Sequence, residues 1–239
     1  MRIDLGRPGK NTIMLNELLD YRTIPCVCCN KRRNIKDFVI RTDFLGICNR
    51  CSENITFSQK GSSFEGSRNV SYVLSPMIYE GRARNIVGSL KFYHNTEVSQ
   101  LLGVVFSDFL DEYTHLYEFD AVVPVPLSQK RMRERGYNQA ELIAKCISEI
   151  IDVPMETAAV RIKHTKRQSG LDAQKRFFNV KDAFNASEIV RNKRIILVDD
   201  VRTTGNTMDN CAKAMIEMGA EEVIGITATI TIPKARIGY

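Results

Sequence analysis

The chain has 239 residues, of which 44% are hydrophobic, and its formal net charge at pH 7 is +6. This length and apolar content suffice for one sizeable domain plus a small appendage, and they exclude a largely disordered chain. The longest apolar runs are far shorter than the roughly 18 residues that a membrane helix needs, so we expect no membrane insertion. The first residues lack the continuous apolar stretch of a secretory signal, and we therefore expect a cytoplasmic protein.

Cysteine is concentrated near the start of the chain, where five of the seven cysteines lie between positions 26 and 51. Two C-x-x-C pairs separated by 18 residues have the spacing of a zinc ribbon, in which four thiolates bind one structural Zn2+. The candidate zinc ligands are Cys26, Cys29, Cys48 and Cys51. Cys28 could compete for the metal, and reduced cysteines in an unstructured leader are the alternative interpretation. Residues 1–58 are therefore predicted to form an N-terminal cysteine module with its leader.

A larger unit follows a short segment of different composition. Residues 59–69, QKGSSFEGSRN, are rich in glycine, serine and charge, and they predict a linker. From residue 70 onward, apolar periodicity predicts a second domain over residues 70–239. Its predicted elements are a strand near 71–78, helices near 82–93 and 97–113, a strand over 119–125, a helix from residue 138, a strand from residue 195, a helix over 207–218 and a strand over 223–230. A strand, a helix and a strand in close succession imply a parallel crossover. The predicted fold class is therefore α/β, with a doubly wound parallel sheet and a small N-terminal zinc-ribbon-like module.

The segment Ile195–Thr207 joins a buried strand to the start of a helix through a loop of threonine, glycine and asparagine. A helix start offers unpaired N–H groups and a positive dipole end, and glycine lets the backbone close around a phosphate. Asp199 and Asp200 at the end of the strand need compensation, for which sugar hydroxyls or a hydrated cation are natural partners. Phosphate and a vicinal diol together are the chemistry of a ribose 5-phosphate. The simpler alternative is that the aspartates cap the helix and the threonines solvate a turn.

This segment resembles the phosphoribosyl pyrophosphate signature of class I phosphoribosyltransferases. The resemblance implies a phosphoribosyltransferase type I sheet in which Asp199 and Asp200 hold the ribose 2- and 3-hydroxyls. It also implies that the loop wraps the 5-phosphate through Thr203, Thr204, Gly205, Asn206 and Thr207. Some members carry an acid at the position of Thr203, as a base near the acceptor. Thr203 departs from those members and resembles the orotate type. Mg2+ is implied as the cation that accompanies the diphosphate.

Further motifs are similar to those of the ComF family of competence-associated proteins. They are Leu90–Phe92, Val123–Leu127, Arg131, Arg135–Gln139, Gln168, Leu171, Arg176, Asn179 and Phe184, and the similarity covers about residues 26–231. In this setting Arg131 and Arg135 lie in the loop that receives pyrophosphate, and arginine can bind phosphate oxygens through two parallel hydrogen bonds. The side chains that would lie on a flap closing over the diphosphate are Gln168, Arg176 and Asn179. Lysine and arginine are concentrated in two basic stretches, 130–135 and 161–181, and plain solvated loops are the alternative for both.

Two functions from different classes fit these features. The first is a protein that binds phosphoribosyl pyrophosphate, or a related nucleotide, with Mg2+; whether it transfers the phosphoribosyl group to an acceptor is left open. The second is a non-enzymatic accessory of DNA import that binds single-stranded DNA and uses the phosphoribosyl site for ligand recognition or sensing. The ComF resemblance implies a role in natural transformation, beside a competence helicase. A ligand-sensing regulator is a third interpretation, although no recognition helix is evident.

Overall fold

The computed structural model of the protein describes residues 22–92, 96–162 and 183–232. Its strands are β1 (Thr23–Pro25), β2 (Arg32–Asn34), β3 (Phe38–Arg41), β4 (Gly46–Cys48), β5 (Phe64–Glu65), β6 (Tyr72–Leu74), β7 (Met77–Ile78), β8 (Ala121–Pro124), β9 (Ala159–Arg161), β10 (Phe184–Ala186), β11 (Arg194–Arg202) and β12 (Glu222–Ile230). Its α-helices are α1 (Asn49–Ser52), α2 (Ala83–Phe92), α3 (Thr96–Leu110), α4 (Gln129–Arg135), α5 (Gln139–Ile151) and α6 (Asn206–Glu217). Short 3-10 helices lie at Ile35–Asp37, Thr114–Glu118 and Glu188–Val190. Within these three stretches of chain, no helix is both long and apolar enough to cross a membrane.

The larger unit is built on one sheet with the strand order β5, β6, β12, β11 and β8, and β7 also pairs with β12. The pairings of β12 with β6, β7 and β11, and of β11 with β8, are all parallel. The sheet is nevertheless mixed, because β5 runs antiparallel to β6 at one edge. This strand lies inside the segment 59–69 that the sequence predicts to be a linker. A strand of two residues is too short to show periodicity, so the sequence pattern does not reveal it.

Helices cover both faces of the sheet, which confirms the doubly wound α/β arrangement. Successive side chains of a strand point to opposite faces, and both Ile195 and Ile196 of β11 are fully buried. On one face Ile196 packs in a cluster with Phe106 of α3 and Ile143 of α5. On the other face Ile195 packs with Met215 of α6. Burial on both faces explains why β11 reads as a continuous apolar run in the sequence.

The cysteine module consists of two antiparallel pairs of strands, β1 with β2 and β3 with β4. Its apolar residues Leu45 and Ile47 belong to the same buried cluster as the helices on that face of the sheet. The carbonyl oxygen of Cys28 accepts hydrogen bonds from Arg82 Nη1 at 3.4 Å and from Asn85 Nδ2 at 2.6 Å. The module is therefore docked against the start of α2 by both apolar and polar contacts.

Candidate functional site

A cleft of about 220 Å³ lies where β7, β8 and β11 reach their carboxyl ends. It is lined by Tyr79 directly after β7, by Val125 directly after β8 and by the end of β11. Ligands in open α/β sheets bind at this edge. The sequence-predicted site residues that the cleft brings together are Arg131, Arg135, Asp199, Asp200, Thr203 and Thr207.

The acid pair lies in the last part of β11, which continues to Arg202. Asp199 and Asp200 are both half-buried, and both line the cleft. The backbone N–H of Asp200 donates a hydrogen bond to Oδ1 of Asp199 at 2.8 Å, which orients that carboxylate. Two carboxylates at one edge of a cleft favour a cation or sugar hydroxyls as partners, because partial burial without compensation is costly.

The loop after β11 encloses a second, smaller cavity of about 20 Å³, which it forms with its threonines and the start of α6. The predicted phosphate-loop residues that line it are Thr203, Thr204, Gly205, Asn206 and Thr207. Gly205 is the N-cap of α6 and has a positive φ of 79°, and a Cβ added there would lie 3.1 Å from Nε of Arg202. Both features favour glycine at the point where the loop turns into the helix. The positive end of α6, with its 12 residues, points into this loop and favours an anion.

The segment predicted to be a linker holds this loop in place. Asp209, in the first turn of α6, accepts three hydrogen bonds on Oδ1, from Ser67 Oγ at 2.7 Å, Asn69 N at 2.9 Å and Asn69 Nδ2 at 3.1 Å. Nη2 of Arg202 donates to the carbonyl oxygen of Gly66 at 2.9 Å. Residues 59–69 therefore do more than connect two units, since they tie both sides of the phosphate loop to the edge of the sheet.

Arg131 and Arg135 lie on the short helix α4, and not in a loop after Val125 as the ComF resemblance implies. The helix begins at Ser128, whose Oγ accepts a hydrogen bond from the backbone N–H of Arg131 at 3.3 Å. It ends at Gly136, whose φ of 79° is the left-handed conformation common after helices. Because α4 has almost no apolar residues, only its two caps could have predicted it.

The cleft also contains polar residues to which the sequence interpretation assigned no role. Arg161 of β9 lines it, and its guanidinium lies 5.2 Å from the ring centre of Phe184. Burial lowers the pKa of Arg161, as does its neighbour Arg131, whereas the charge of Asp199 raises it. Gln139, the first residue of α5, also lines the cleft and is almost fully buried. The one sequence signal for Arg161 is its position at the end of β9. The sequence does not reveal how this strand pairs, so it does not show that Arg161 reaches the cleft.

The three predicted flap residues, Gln168, Arg176 and Asn179, lie outside the described residues. The same holds for most of the basic stretch 161–181, of which only the first residues are described. Their assignment to a flap therefore stays a prediction.

The cysteines with zinc-ribbon spacing come together in the N-terminal module. The Sγ atoms of Cys26, Cys29, Cys48 and Cys51 all lie within 4.8 Å of one another. Tetrahedral Zn2+ with Zn–S bonds of about 2.3 Å separates its sulfur ligands by ~3.8 Å, so this cluster could hold one zinc ion. Three of the four cysteines are buried, as expected of a closed structural site and not of a catalytic one.

Cys28 lies beside the cluster and does not belong to it. Its thiol donates a hydrogen bond that lowers the pKa of Cys26 to about 3, and the same bond raises the pKa of Cys28 above the ordinary range. The backbone N–H of Cys48 also approaches Sγ of Cys26, at 3.5 Å. Cys28 therefore keeps its proton and supports the thiolate of a candidate metal ligand.

Comparison with a family model agrees with this architecture. Residues 137–235 match the family described as "Phosphoribosyl transferase domain". The solved structure of glutamine phosphoribosylpyrophosphate amidotransferase from B. subtilis aligns with 59% of this chain and 30% of its own, at 19% identity and a TM-score of 0.39. The sheet, the cleft at its carboxyl edge and the family match define a phosphoribosyltransferase-type α/β domain.

The curated relatives narrow this class. Competence protein F of Haemophilus influenzae is 40% identical over 109 residues, which cover 44% of this chain and 47% of that protein. DNA utilization protein YhgH of Escherichia coli is 32% identical over 154 residues, which cover 63% of this chain and 64% of that protein. Competence protein ComFC of Bacillus subtilis is 29% identical over 147 residues, which cover 59% of this chain and 56% of that protein. The chain thus spans between about half and just under two thirds of these relatives, and over that part it is similar to competence proteins of the ComF type.

Proposed function

We propose that the cleft binds phosphoribosyl pyrophosphate, or a related nucleotide, together with Mg2+. The observation that carries this proposal is the convergence of three kinds of group on one cleft: the acid pair, the threonine-rich helix start and the three arginines Arg131, Arg135 and Arg161. Each matches one part of such a ligand. The carboxylates suit the ribose hydroxyls and a cation, the helix start suits the 5-phosphate, and the arginines suit a diphosphate.

The donor set of the cleft fits Mg2+. This ion prefers carboxylate and phosphate oxygens and is usually bound by one or two carboxylates plus substrate phosphates. Asp199 and Asp200 would supply the carboxylates, and the diphosphate would supply the remaining anionic oxygens. Mg2+ bound in this way would neutralise charge on the diphosphate.

The side chains around the cleft define what the protein would do with this ligand. Arg131 and Arg135 would bind the diphosphate oxygens, and they would stabilise the charge that develops there if the bond to ribose breaks. The loop at Gly205 would hold the 5-phosphate at the opposite end. Binding follows from these contacts alone, whereas transfer also requires an acceptor. The protein is therefore first a phosphoribosyl-binding protein, with transfer as a second step to be tested.

The relatives suggest the biological setting. Two of them are named as competence proteins and one as a DNA utilization protein. On this basis we propose a role with the DNA-uptake machinery of natural transformation, for which single-stranded DNA and a competence helicase are the partners to test. A structural zinc ion in the cysteine cluster would stabilise the module without taking part in chemistry.

A second candidate function is a non-enzymatic accessory that binds single-stranded DNA. It is favoured by a groove of about 870 Å³ between the cysteine module and α2, which is lined by the basic residues Lys31, Arg82 and Arg84. Phosphate contacts of this kind predict binding that weakens steeply with salt. An electrophoretic shift with single-stranded DNA should appear at low salt, and its absence there would count against this function.

Two measurements test the first function. Isothermal titration of the zinc-loaded protein with phosphoribosyl pyrophosphate and Mg2+ should show binding, and no heat at any accessible concentration would refute it. A pyrophosphate-release assay with nucleobases, ammonia and single-stranded DNA as acceptors then decides whether transfer occurs. Release that requires one acceptor identifies an enzyme, and binding without release identifies a sensor or accessory.

A further inference from the structure

The side-chain amide nitrogen of Gln139 is a buried hydrogen-bond donor that lines the cleft. The residue is 1% exposed. Its Oε1 accepts a hydrogen bond from Arg135 Nη1 at 2.7 Å. Its Nε2 has no hydrogen-bond partner among the described residues. Buried amide N–H groups nearly always donate a hydrogen bond in folded proteins. A buried amide that lines a cleft and lacks an acceptor therefore indicates that a ligand supplies the acceptor there.

The orientation of this amide is fixed by its neighbour. A guanidinium can only donate hydrogen bonds, so the group of Gln139 that faces Arg135 must be the carbonyl oxygen. The nitrogen is then directed away from Arg135. Any partner that it meets must be an acceptor.

The preceding residue, Asn138, has a side-chain amide with a purely structural role and can be compared with Gln139. Nδ2 of Asn138 donates to the carbonyl oxygen of Val125 at 3.1 Å, and Oδ1 of Asn138 accepts from the backbone N–H of Ala140 at 3.2 Å. Both ends of that side chain are used to cap α5 and to join it to the end of β8. Gln139 uses only its acceptor, although it is equally buried.

The surroundings identify the kind of acceptor. Gln139 lines the cleft beside Arg131 and Arg135, and it begins a helix of 13 residues whose positive dipole end lies there. These cationic groups favour anionic oxygens. The phosphate loop at Gly205 lies on a different helix, α6, and is matched to the 5-phosphate. We infer that Gln139 donates a hydrogen bond from Nε2 to an oxygen of the diphosphate, an inference that rests on the proposed function.

The inference makes Gln139 a binding residue and not only a support for Arg135. Gln139→Met has a similar length and removes both the donor and the acceptor. Loss of a hydrogen bond to a charged group corresponds to roughly a tenfold to hundredfold loss of affinity. We expect a loss of this size for Mg2+-pyrophosphate and for phosphoribosyl pyrophosphate, and a change of less than about threefold for ribose 5-phosphate, which has no diphosphate.

The test is isothermal titration of zinc-loaded wild type, Gln139→Met, Arg135→Met and the double variant with these three ligands. If Gln139 acts only through Arg135, the two substitutions together lower affinity no more than Arg135→Met alone, and the inference is overturned. A further loss in the double variant supports it. Equal losses for ribose 5-phosphate and pyrophosphate would mean general damage to the cleft and would also overturn it.

A second pair of variants tests the inference even if Gln139→Met folds poorly. Gln139→Glu keeps an acceptor for Arg135 but replaces the donor by a negative charge, and Gln129→Glu places the same charge on the exposed start of α4. We expect the first to lose pyrophosphate binding and the second to stay within about threefold of wild type. Similar affinities for the two variants overturn the inference. If wild type binds none of the three ligands, the proposed function fails as well, whereas wild-type binding with unaffected variants removes the inference alone.

Discussion

Replacement of Asp209 by alanine should loosen the phosphate loop and destabilise the folded protein. The carboxylate accepts three hydrogen bonds from Ser67 and Asn69, which tie α6 to the edge of the sheet. Ser67 is exposed, so its hydroxyl can donate to water when the carboxylate is removed. Asn69 is partly buried, so the loss of its hydrogen bonds costs more free energy. If the two hydrogen bonds of Asn69 contribute almost their full free energy and that of Ser67 contributes little, the free energy of unfolding falls by about 2 kcal/mol. For a chain of this length, such a loss lowers Tm by roughly 4–8 °C.

The assay is differential scanning calorimetry of the zinc-loaded protein, with titration of ribose 5-phosphate on the same samples. Asp43→Ala is the matched control, since Asp43 makes one exposed ion pair with Arg22 at 3.4 Å in the cysteine module, outside the segment 59–69. An exposed ion pair contributes little to stability, so this control should change Tm much less. Asp209→Ala should also weaken ribose 5-phosphate binding. If both variants lower Tm equally, or if ligand binding is unchanged in Asp209→Ala, the segment 59–69 does not hold the loop.

Three further predictions follow from the site and its surroundings. Gly205→Ala should reduce the affinity for ribose 5-phosphate in titration, because alanine disfavours a φ of 79°. Gly88→Ala is the control inside α2, where an added Cβ has no neighbour within 4 Å, and it should leave this affinity unchanged. Cys29→Ser should lower the zinc content measured by atomic absorption and lower Tm, whereas Cys146→Ser, outside the cluster, should retain zinc; loss of zinc in both would contradict the assignment. Burial raises the pKa of Tyr72 from about 10 to about 12, so the folded state holds this proton more tightly. Stability from this group is present below pH ~10 and is lost as the pH rises toward ~12, so Tm should fall less over this range in Tyr72→Phe than in wild type.

The sequence predicted the features that are local in the chain. The acid pair, the loop and the start of α6 occupy one strand-to-helix turn, so their order alone indicates a site, and the structure brings Asp199, Asp200 and Thr207 to one cleft. The two C-x-x-C pairs could be predicted for the same reason, because each pair is short enough in the chain to direct both sulfurs toward one point. The doubly wound α/β class followed from the strand, helix and strand at the end of the chain, and it is confirmed.

What the sequence did not predict depends on distant contacts or on very short elements. Arg161 reaches the cleft because β9 pairs with β10 across residues that carry no clear periodicity. The role inferred for Gln139 depends on which of its two polar atoms Arg135 occupies, and a sequence does not show this. β5 is hidden in a polar segment because two residues cannot display a pattern. α4 lacks an apolar face, so its charges resemble those of a solvated loop.

The central claim is that the acid pair at the end of β11 belongs to a phosphoribosyl pyrophosphate site. Its most direct test is isothermal titration of phosphoribosyl pyrophosphate with Mg2+ into wild type and into the variant that combines Asp199→Asn with Asp200→Asn. Asp108→Asn combined with Asp111→Asn removes the same charge at exposed positions in and beside α3, and it serves as the control. We predict binding by wild type and by the control, and none by the acid-pair variant. Binding of equal strength in all three proteins would contradict the account.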